Sequence, residues 1–148
     1  MTINWPVVAV SLPGPYEIST ERDRLDLAQV HQWLSTDTYW ATGRSLETVE
    51  RAMETSLNLG VYDAEGTQVG YARVVTDLAT FGWLCDVYVS RGHRGNGIGG
   101  ALAAAARDCL APYGLRRILL STDGAQPIYA KAGFTPLPET PEYMQFAY

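Results

Sequence analysis

The chain has 148 residues, of which 47% are hydrophobic and 18% charged, a size and apolar content that suit one domain with its own core. Its formal net charge of -5 excludes nucleic-acid binding driven by counterion release, so any anionic ligand must be held by a local site. The N-terminus lacks the charged leader and cleavage signal of a secretory peptide, and no apolar run reaches the roughly 18 residues of a membrane span. We therefore expect a cytoplasmic protein without a membrane or nucleic-acid partner.

The two cysteines, Cys85 and Cys109, lie in apolar stretches. Neither has a second pair or a histidine nearby at the spacing of metal ligands. The sequence therefore predicts no metal site and two buried, reduced thiols.

A cluster of prolines and a glycine at residues 12–15 divides the chain. Residues 1–15 are predicted to form a short leader or an edge strand, and residues 16–148 to form the single domain. Residues 16–20 alternate like a strand, and two amphipathic helices follow. The first helix is indicated by Leu27, Val30, His31 and Leu34, and the second, capped by Ser45, by Leu46, Val49, Met53 and Leu57.

Apolar runs over residues 57–63 and 68–76, joined by a short loop that contains Gly66, predict an antiparallel hairpin. A third strand over residues 81–89, a helix over 98–110 and a strand over 117–121 predict a parallel crossover. The buried stripe of that helix is predicted to be Ile98, Leu102, Ala105 and Cys109.

A short helix over residues 127–131, ended by Gly133, is predicted to precede terminal strands at Phe134 and 143–146. The predicted fold class is α/β, with a mixed sheet that carries helices on its faces.

Residues 90–100 form a glycine-rich segment between a predicted strand and a predicted helix. Glycines let backbone N–H groups converge on a ligand, and the start of a helix favours negative charge. A diphosphate is the expected ligand.

Three kinds of diphosphate site compete for this segment. A P-loop is excluded, because no Lys followed by Ser or Thr comes after the glycines. An NAD-binding loop would use Gly95, Gly97 and Gly100 as G-x-G-x-x-G, with Asp123 on the ribose. However, five residues separate Val89 from Gly95, and little chain remains for further parallel strands, so this alternative is less favoured.

In the third interpretation Arg94, Gly97 and Gly99 form R-x-x-G-x-G, and the sequence resembles the GNAT acetyltransferase superfamily. The resemblance extends from about residue 16 to 146, and residues 128–134 match a second motif, Y-x-x-x-G-F. It implies acetyl-CoA as cosubstrate and direct transfer of the acetyl group to an amine. It also implies a strand that splays from its parallel neighbour and pairs with the pantetheine arm. The implied cofactor-binding residues are Val87, Tyr88, Val89, Arg94, Gly95, Asn96, Gly97, Ile98, Gly99 and Gly100.

Two residues are candidates for the chemistry. Tyr129 matches the family tyrosine that acts as general acid toward the thiolate, and the alternative is a core aromatic. Asp86, shielded within the strand, is either the base that deprotonates the amine, with a raised pKa, or a structural carboxylate bonded to neighbouring groups.

The resemblance also implies that the acceptor amine contacts the first two helices and the loop that connects them. Tyr39 and Trp40 are candidates for an aromatic wall, and Asp37 or Asp77 for the anchor of a cation; the alternative for all four is packing within their loops. The amine could belong to a small molecule or to a protein, and a homodimer is left open. A competing hypothesis is a non-catalytic acyl-CoA sensor.

Overall fold

The computed structural model describes residues 2–138 and 142–148, and these form one mixed sheet with helices on both faces. The order of the six strands in the sheet follows the chain. Neighbouring strands are antiparallel except the last two, which are parallel. The strands are β1 (Ala9–Ser11), β2 (Glu17–Ser19), β3 (Leu57–Tyr62), β4 (Gln68–Thr76), β5 (Phe81–Val89) and β6 (Arg117–Leu119).

The first two helices begin after residues whose side chains cap them. The second helix ends at Glu54, so the prediction that Leu57 belongs to its apolar face was wrong: Leu57 begins β3. Asp26 caps the first helix by accepting from the amide of Gln29 at 3.1 Å, and Ser45 caps the second by accepting from Thr48 at 3.1 Å. The helices are α1 (Leu27–Asp37), α2 (Leu46–Glu54), α3 (Ile98–Leu110) and α4 (Gln126–Lys131).

Each face of the sheet has its own hydrophobic core. On one face α3 packs over β3, β4 and β5, and its buried residues include Leu102, Ala103 and Ala106. On the other face α1 and α2 pack around Tyr71 of β4. The predicted helices on both faces are therefore confirmed. The predicted stripe of α3 was wrong at Ala105, which is half-buried, because the buried face turns toward Ala103 and Ala106.

A bulge interrupts the pairing of β5 with β4. Tyr88 pairs with Tyr71 and Cys85 with Arg73, so two residues of β5 stand opposite Ala72 alone. Asp86 has a φ of 52°, a left-handed conformation that non-glycine residues adopt rarely. The extra residue reverses the alternation of side chains along β5. Beyond it, Val87 and Val89 pack with the α3 core, and Asp86 and Tyr88 contact the α1 side.

The parallel strands β5 and β6 pair over only three residues. Residues 81–83 of β5 align with 117–119 of β6, and β6 ends at Leu119 rather than at Ser121 as predicted. In the described sheet, the rest of β5 has no strand partner on this side. The two strands therefore open into a wedge that begins beyond Trp83.

The terminal strands predicted at Phe134 and 143–146 were wrong, because these described residues lie in no strand. Pro136 and Pro138 follow Phe134 and remove two backbone donors. The three residues of β6 also offer only a short edge for pairing. Among the described helices, none is long and apolar enough to cross a membrane.

Candidate active site

The glycine-rich segment joins β5 to α3 with its backbone amides available. Gly95 and Gly97 have φ values of 84° and 75°, which suit glycine. The first backbone bond at the start of α3 runs from the amide of Ala101 to Gly97 O at 3.1 Å. Among the described residues, no acceptor contacts the amides of residues 95–100. This segment therefore presents a row of free donors at a helix N-terminus, the arrangement that binds phosphate groups.

A cavity of about 890 Å³, here called the loop cleft, lies between this segment, β5 and α4. Its apolar lining includes Val87, Val89 and Ile128, and it holds an excess of positive charge. The charged side chains that line it are Arg94, Arg107, Lys131 and Asp37. A protein with a net charge of -5 therefore presents a locally cationic cleft, as an anionic ligand requires.

Asp37, predicted to anchor an acceptor cation, contacts groups of the protein itself. Its carboxylate accepts from Arg91 Nε at 2.9 Å and from the hydroxyl of Tyr88 at 2.6 Å, and Arg94 Nη2 lies 3.6 Å away. The hydrogen bonds from Arg91 and Tyr88 hold the pKa of Asp37 well below its usual range. Asp37 therefore fastens the end of α1 to the glycine-rich segment.

A second cavity of about 330 Å³, here called the wedge cavity, fills the opening between β5 and β6. Its lining includes Trp83 and Cys85 of β5 and the hydroxyl-bearing Ser121 and Thr122 beyond β6. It adjoins the loop cleft, because four residues line both: Tyr39, Trp40, Val87 and Tyr129.

Tyr129 lies on α4 at the junction of the two cavities. Its ring packs edge-on against Phe134 with a centroid distance of 6.2 Å, which leaves the residue half-buried. Burial, assisted by the nearby Tyr39, raises the pKa of Tyr129, so its hydroxyl stays protonated at neutral pH. A protonated phenol between two connected cavities can donate a proton to a group that leaves.

Asp86 lines the wedge cavity but is only 4% exposed, and both of its carboxylate oxygens accept hydrogen bonds. One oxygen accepts from the indole Nε1 of Trp40 at 3.0 Å. The other accepts from Arg44 Nη1 and from Arg73 Nε, each at 2.9 Å. This geometry favours the structural carboxylate over the base, the two alternatives that the sequence left open.

The two arginines that contact Asp86 were not predicted from the sequence. Arg73 offered a signal, because a charged residue in an apolar strand needs a buried partner. Arg44 offered none, because it lies in a polar loop before α2.

The remaining predicted acceptor residues separate into two groups. Tyr39 and Trp40 are 68% and 42% exposed, and their rings pack edge-on at 5.0 Å to form one wall of both cavities. Asp77 lies in the turn between β4 and β5 and lines neither cavity. Its carboxylate accepts from the hydroxyl of Thr80 at 2.6 Å and from backbone amides of the same turn.

The thiols and histidines have ordinary surroundings. Burial raises the pKa of Cys85 to about 11, so its thiol is protonated at neutral pH. His31 contacts the backbone oxygen of Arg44, and His93 contacts the hydroxyl of Tyr16. No cluster of metal-ligating side chains occurs in residues 2–138 and 142–148.

Comparison with known sequences identifies relatives along most of the chain. A family model described as the acetyltransferase (GNAT) family matches residues 27–134. A protein of Gibberella zeae is 29% identical over 137 residues, which cover 80% of this chain and 77% of that protein.

Solved structures share the fold. A GNAT-family structure from Xanthomonas campestris pv. campestris is 41% identical, with a TM-score of 0.81 over 90% of this chain and 92% of that one. The Xanthomonas protein and the Gibberella protein are both named putative acetyltransferases. A Mycobacterium tuberculosis protein in complex with CoA and NLQ is 21% identical, with a TM-score of 0.69 over 84% of this chain and 74% of that one.

Proposed function

The chain belongs to the acetyltransferase (GNAT) family, and we propose on this basis that it transfers an acetyl group from acetyl-CoA to a primary amine. The observation that carries the proposal is the position of Tyr129, which lines both the loop cleft and the wedge cavity. Acetyl-CoA in the loop cleft and an acceptor amine in the wedge cavity would meet near the hydroxyl of Tyr129.

The loop cleft fits coenzyme A in three respects. The free amides of residues 95–100 suit a diphosphate, and no Cβ crowds the backbone at Gly95 or Gly97. In the sheet formed by the described residues, residues 87–89 of β5 have no strand partner on the wedge side, so their backbone is available to the amide groups of pantetheine. The CoA bound by the Mycobacterium tuberculosis neighbour supports the same assignment.

Acetyl-CoA supplies an activated thioester. The protein positions the amine next to it and supplies a proton to the leaving sulfur. The wedge cavity holds the neutral amine, whose nitrogen bonds to the carbonyl carbon as the carbon–sulfur bond breaks. Tyr129 donates its proton to the departing sulfur and recovers one from solvent, while the nitrogen releases a proton to water. Cys85, protonated and half-buried, is unsuited to carry the acetyl group, which favours direct transfer.

Asp86 acts as a positioning residue in this proposal. It joins Trp40 to Arg44 and Arg73 and so shapes the wall of the wedge cavity. In the alternative, Asp86 removes a proton from the amine directly or through water. Its carboxylate would then have to give up a hydrogen bond from Trp40, Arg44 or Arg73 in order to contact the amine or the water.

Release of free thiol from acetyl-CoA, measured across a panel of amines, tests the proposal. Thiol release that depends on the amine would support it. Tight CoA binding without release on any amine would instead indicate an acyl-CoA sensor, and binding of NAD in place of CoA would indicate a dinucleotide-binding domain.

A further inference from the structure

The charges of the wedge cavity do not balance. Three charged residues line it, namely Arg44, Arg73 and Asp86, which leaves a formal charge of +1. Their side chains are only 23%, 14% and 2% exposed, so solvent screens them weakly. A cavity that attracts cationic amines would be expected to carry a negative formal charge in its lining.

Both guanidinium groups retain hydrogen-bond donors beyond those that Asp86 uses. Arg44 contacts Asp86 through Nη1 alone, and Arg73 uses Nε for Asp86 and Nη1 for Ser56. In the described part of the chain, Arg44 Nε and Nη2 and Arg73 Nη2 contact no acceptor. A guanidinium presents its donors as a planar fork that matches a carboxylate or a phosphate.

The surrounding side chains cannot neutralise this charge. Trp40 is uncharged and donates its indole N–H to Asp86. The remaining polar groups of the lining are neutral, among them the hydroxyls of Ser121, Thr122, Tyr39 and Tyr129 and the thiol of Cys85. The two arginines are therefore suited to bind a second anion from a ligand, because weakly solvated charges are more stable when paired.

We propose that the acceptor is a primary amine that also carries a carboxylate or phosphate group, which Arg44 and Arg73 bind in the wedge cavity. This inference rests on the proposed function, and it names the substrate class of that site. The aromatic side chains of Tyr39, Trp40 and Trp83 would contact the apolar part of the same molecule. Polyamines and lysine-rich peptides are disfavoured by the same positive charge.

Matched acceptors that differ in one acidic group test the inference. Phenylalanine is compared with phenylethylamine, phosphoethanolamine with ethanolamine, and spermidine serves as the polycation. Thiol release should give a kcat/KM about 10- to 100-fold higher for the acidic member of at least one pair, the range expected for charge-assisted hydrogen bonds. The pair that shows the preference identifies the acidic group as carboxylate or phosphate.

Substitution of Arg44 separates binding from a structural role. Arg44→Gln should remove most of the preference for the acidic acceptor, chiefly through KM, and Arg44→Lys should restore part of it. Arg51→Gln, an exposed position on α2 that lines neither cavity, is the matched control and should keep the preference. Equal loss on all acceptors with a lowered melting temperature would assign Arg44 to structure and overturn the inference.

Two further outcomes distinguish this inference from the proposed function. Acetylation of the neutral amines or spermidine with no preference for acidic acceptors would overturn the inference and leave the function standing. If no amine is acetylated, calorimetry of the CoA-loaded protein with the same amines decides. Acidic amines that bind more tightly in a way that needs Arg44 would support the anion site, and equal or absent binding would overturn it.

Discussion

The indole N–H of Trp40 donates a 3.0 Å hydrogen bond to the carboxylate of Asp86, which joins the segment after α1 to the bulge of β5. Trp40 lines both the loop cleft and the wedge cavity. The bond to Asp86 therefore holds a side chain that both cavities share against β5. The left-handed backbone at Asp86 presents its carboxylate to Trp40 and to two arginines at once.

Asp86→Asn is expected to lower stability more than it alters the pH profile. An amide has one acceptor oxygen and a donor group that would face the two guanidiniums, so a buried ion pair is broken at a cost of about 3 kcal/mol. The melting temperature should fall by roughly 6 to 12 °C for a domain of this size. The exposed Asp23→Asn is a control that should change little. An unchanged melting temperature with loss of the acidic limb of the rate profile would instead identify Asp86 as the base.

Two buried tyrosines should respond oppositely to loss of the hydroxyl. Tyr71 donates to Asn58 Oδ1, whose amide donates to the backbone oxygens of Met53 and Ser56. Tyr71→Phe leaves this acceptor without its donor and should reduce the free energy of unfolding by about 1 to 2 kcal/mol.

Tyr62 is the matched comparison. Within the described residues its buried hydroxyl has no hydrogen-bond partner, and burial raises its pKa to about 12. Tyr62→Phe keeps the ring that contacts Arg24 and should leave stability unchanged or raise it by up to about 1 kcal/mol. Urea unfolding of both variants measures the difference, and equal losses would contradict the assigned hydrogen bonds.

Gly97→Ala should weaken CoA binding without unfolding the protein. Gly97 has a φ of 75° with open space around it, so a methyl group meets no protein atom but takes up space beside the loop backbone that a bound diphosphate would need. Loss of one or two charge-assisted bonds corresponds to a Kd raised about 10- to 100-fold.

Gly66→Ala controls for the strain at Gly97. Gly66 lies in the β3–β4 hairpin with a φ of 80° and the same open surroundings. Both variants should lose similar stability, about 1 kcal/mol, while only Gly97→Ala loses affinity in calorimetry. Unchanged affinity in folded Gly97→Ala would place the diphosphate elsewhere.

Tyr129→Phe should lower turnover by roughly 10²-fold or more with CoA affinity nearly kept, because it removes the proton donor and little volume. Tyr113→Phe, at a position that lines neither the loop cleft nor the wedge cavity, is the control. Full activity of the Tyr129 variant would return this residue to a packing role.

The pH profile gives a second check on Tyr129. A general acid is active while it is protonated, and its activity falls as the pH rises through its pKa. Burial raises the pKa of Tyr129 above its ordinary value. The wild-type rate should therefore show no basic limb from Tyr129 below about pH 10. A basic limb near pH 8 that disappears in Tyr129→Phe would contradict the raised pKa.

The sequence by itself determined most of the helices and strands and the glycine-rich loop. The cap at Ser45, apolar periodicity and the glycines at 95 and 97 act within a few residues of the chain, so their effects can be predicted from local sequence. The same local patterns allowed the parallel crossover and the motif around Tyr129 to be recognised.

Only the tertiary structure decided which groups meet. The bulge at Asp86 depends on the register between β4 and β5, and a shift of one residue changes which face each side chain occupies. Arg44 reaches Asp86 from 42 residues away, and no local pattern encodes that pairing. Residues 143–146, apolar apart from Gln145, resembled a strand, but a strand also needs an edge to pair with, and β6 is too short to supply one. Wherever a contact joins residues distant in the chain, the packing of whole elements selects it, and that selection set the charge of the wedge cavity.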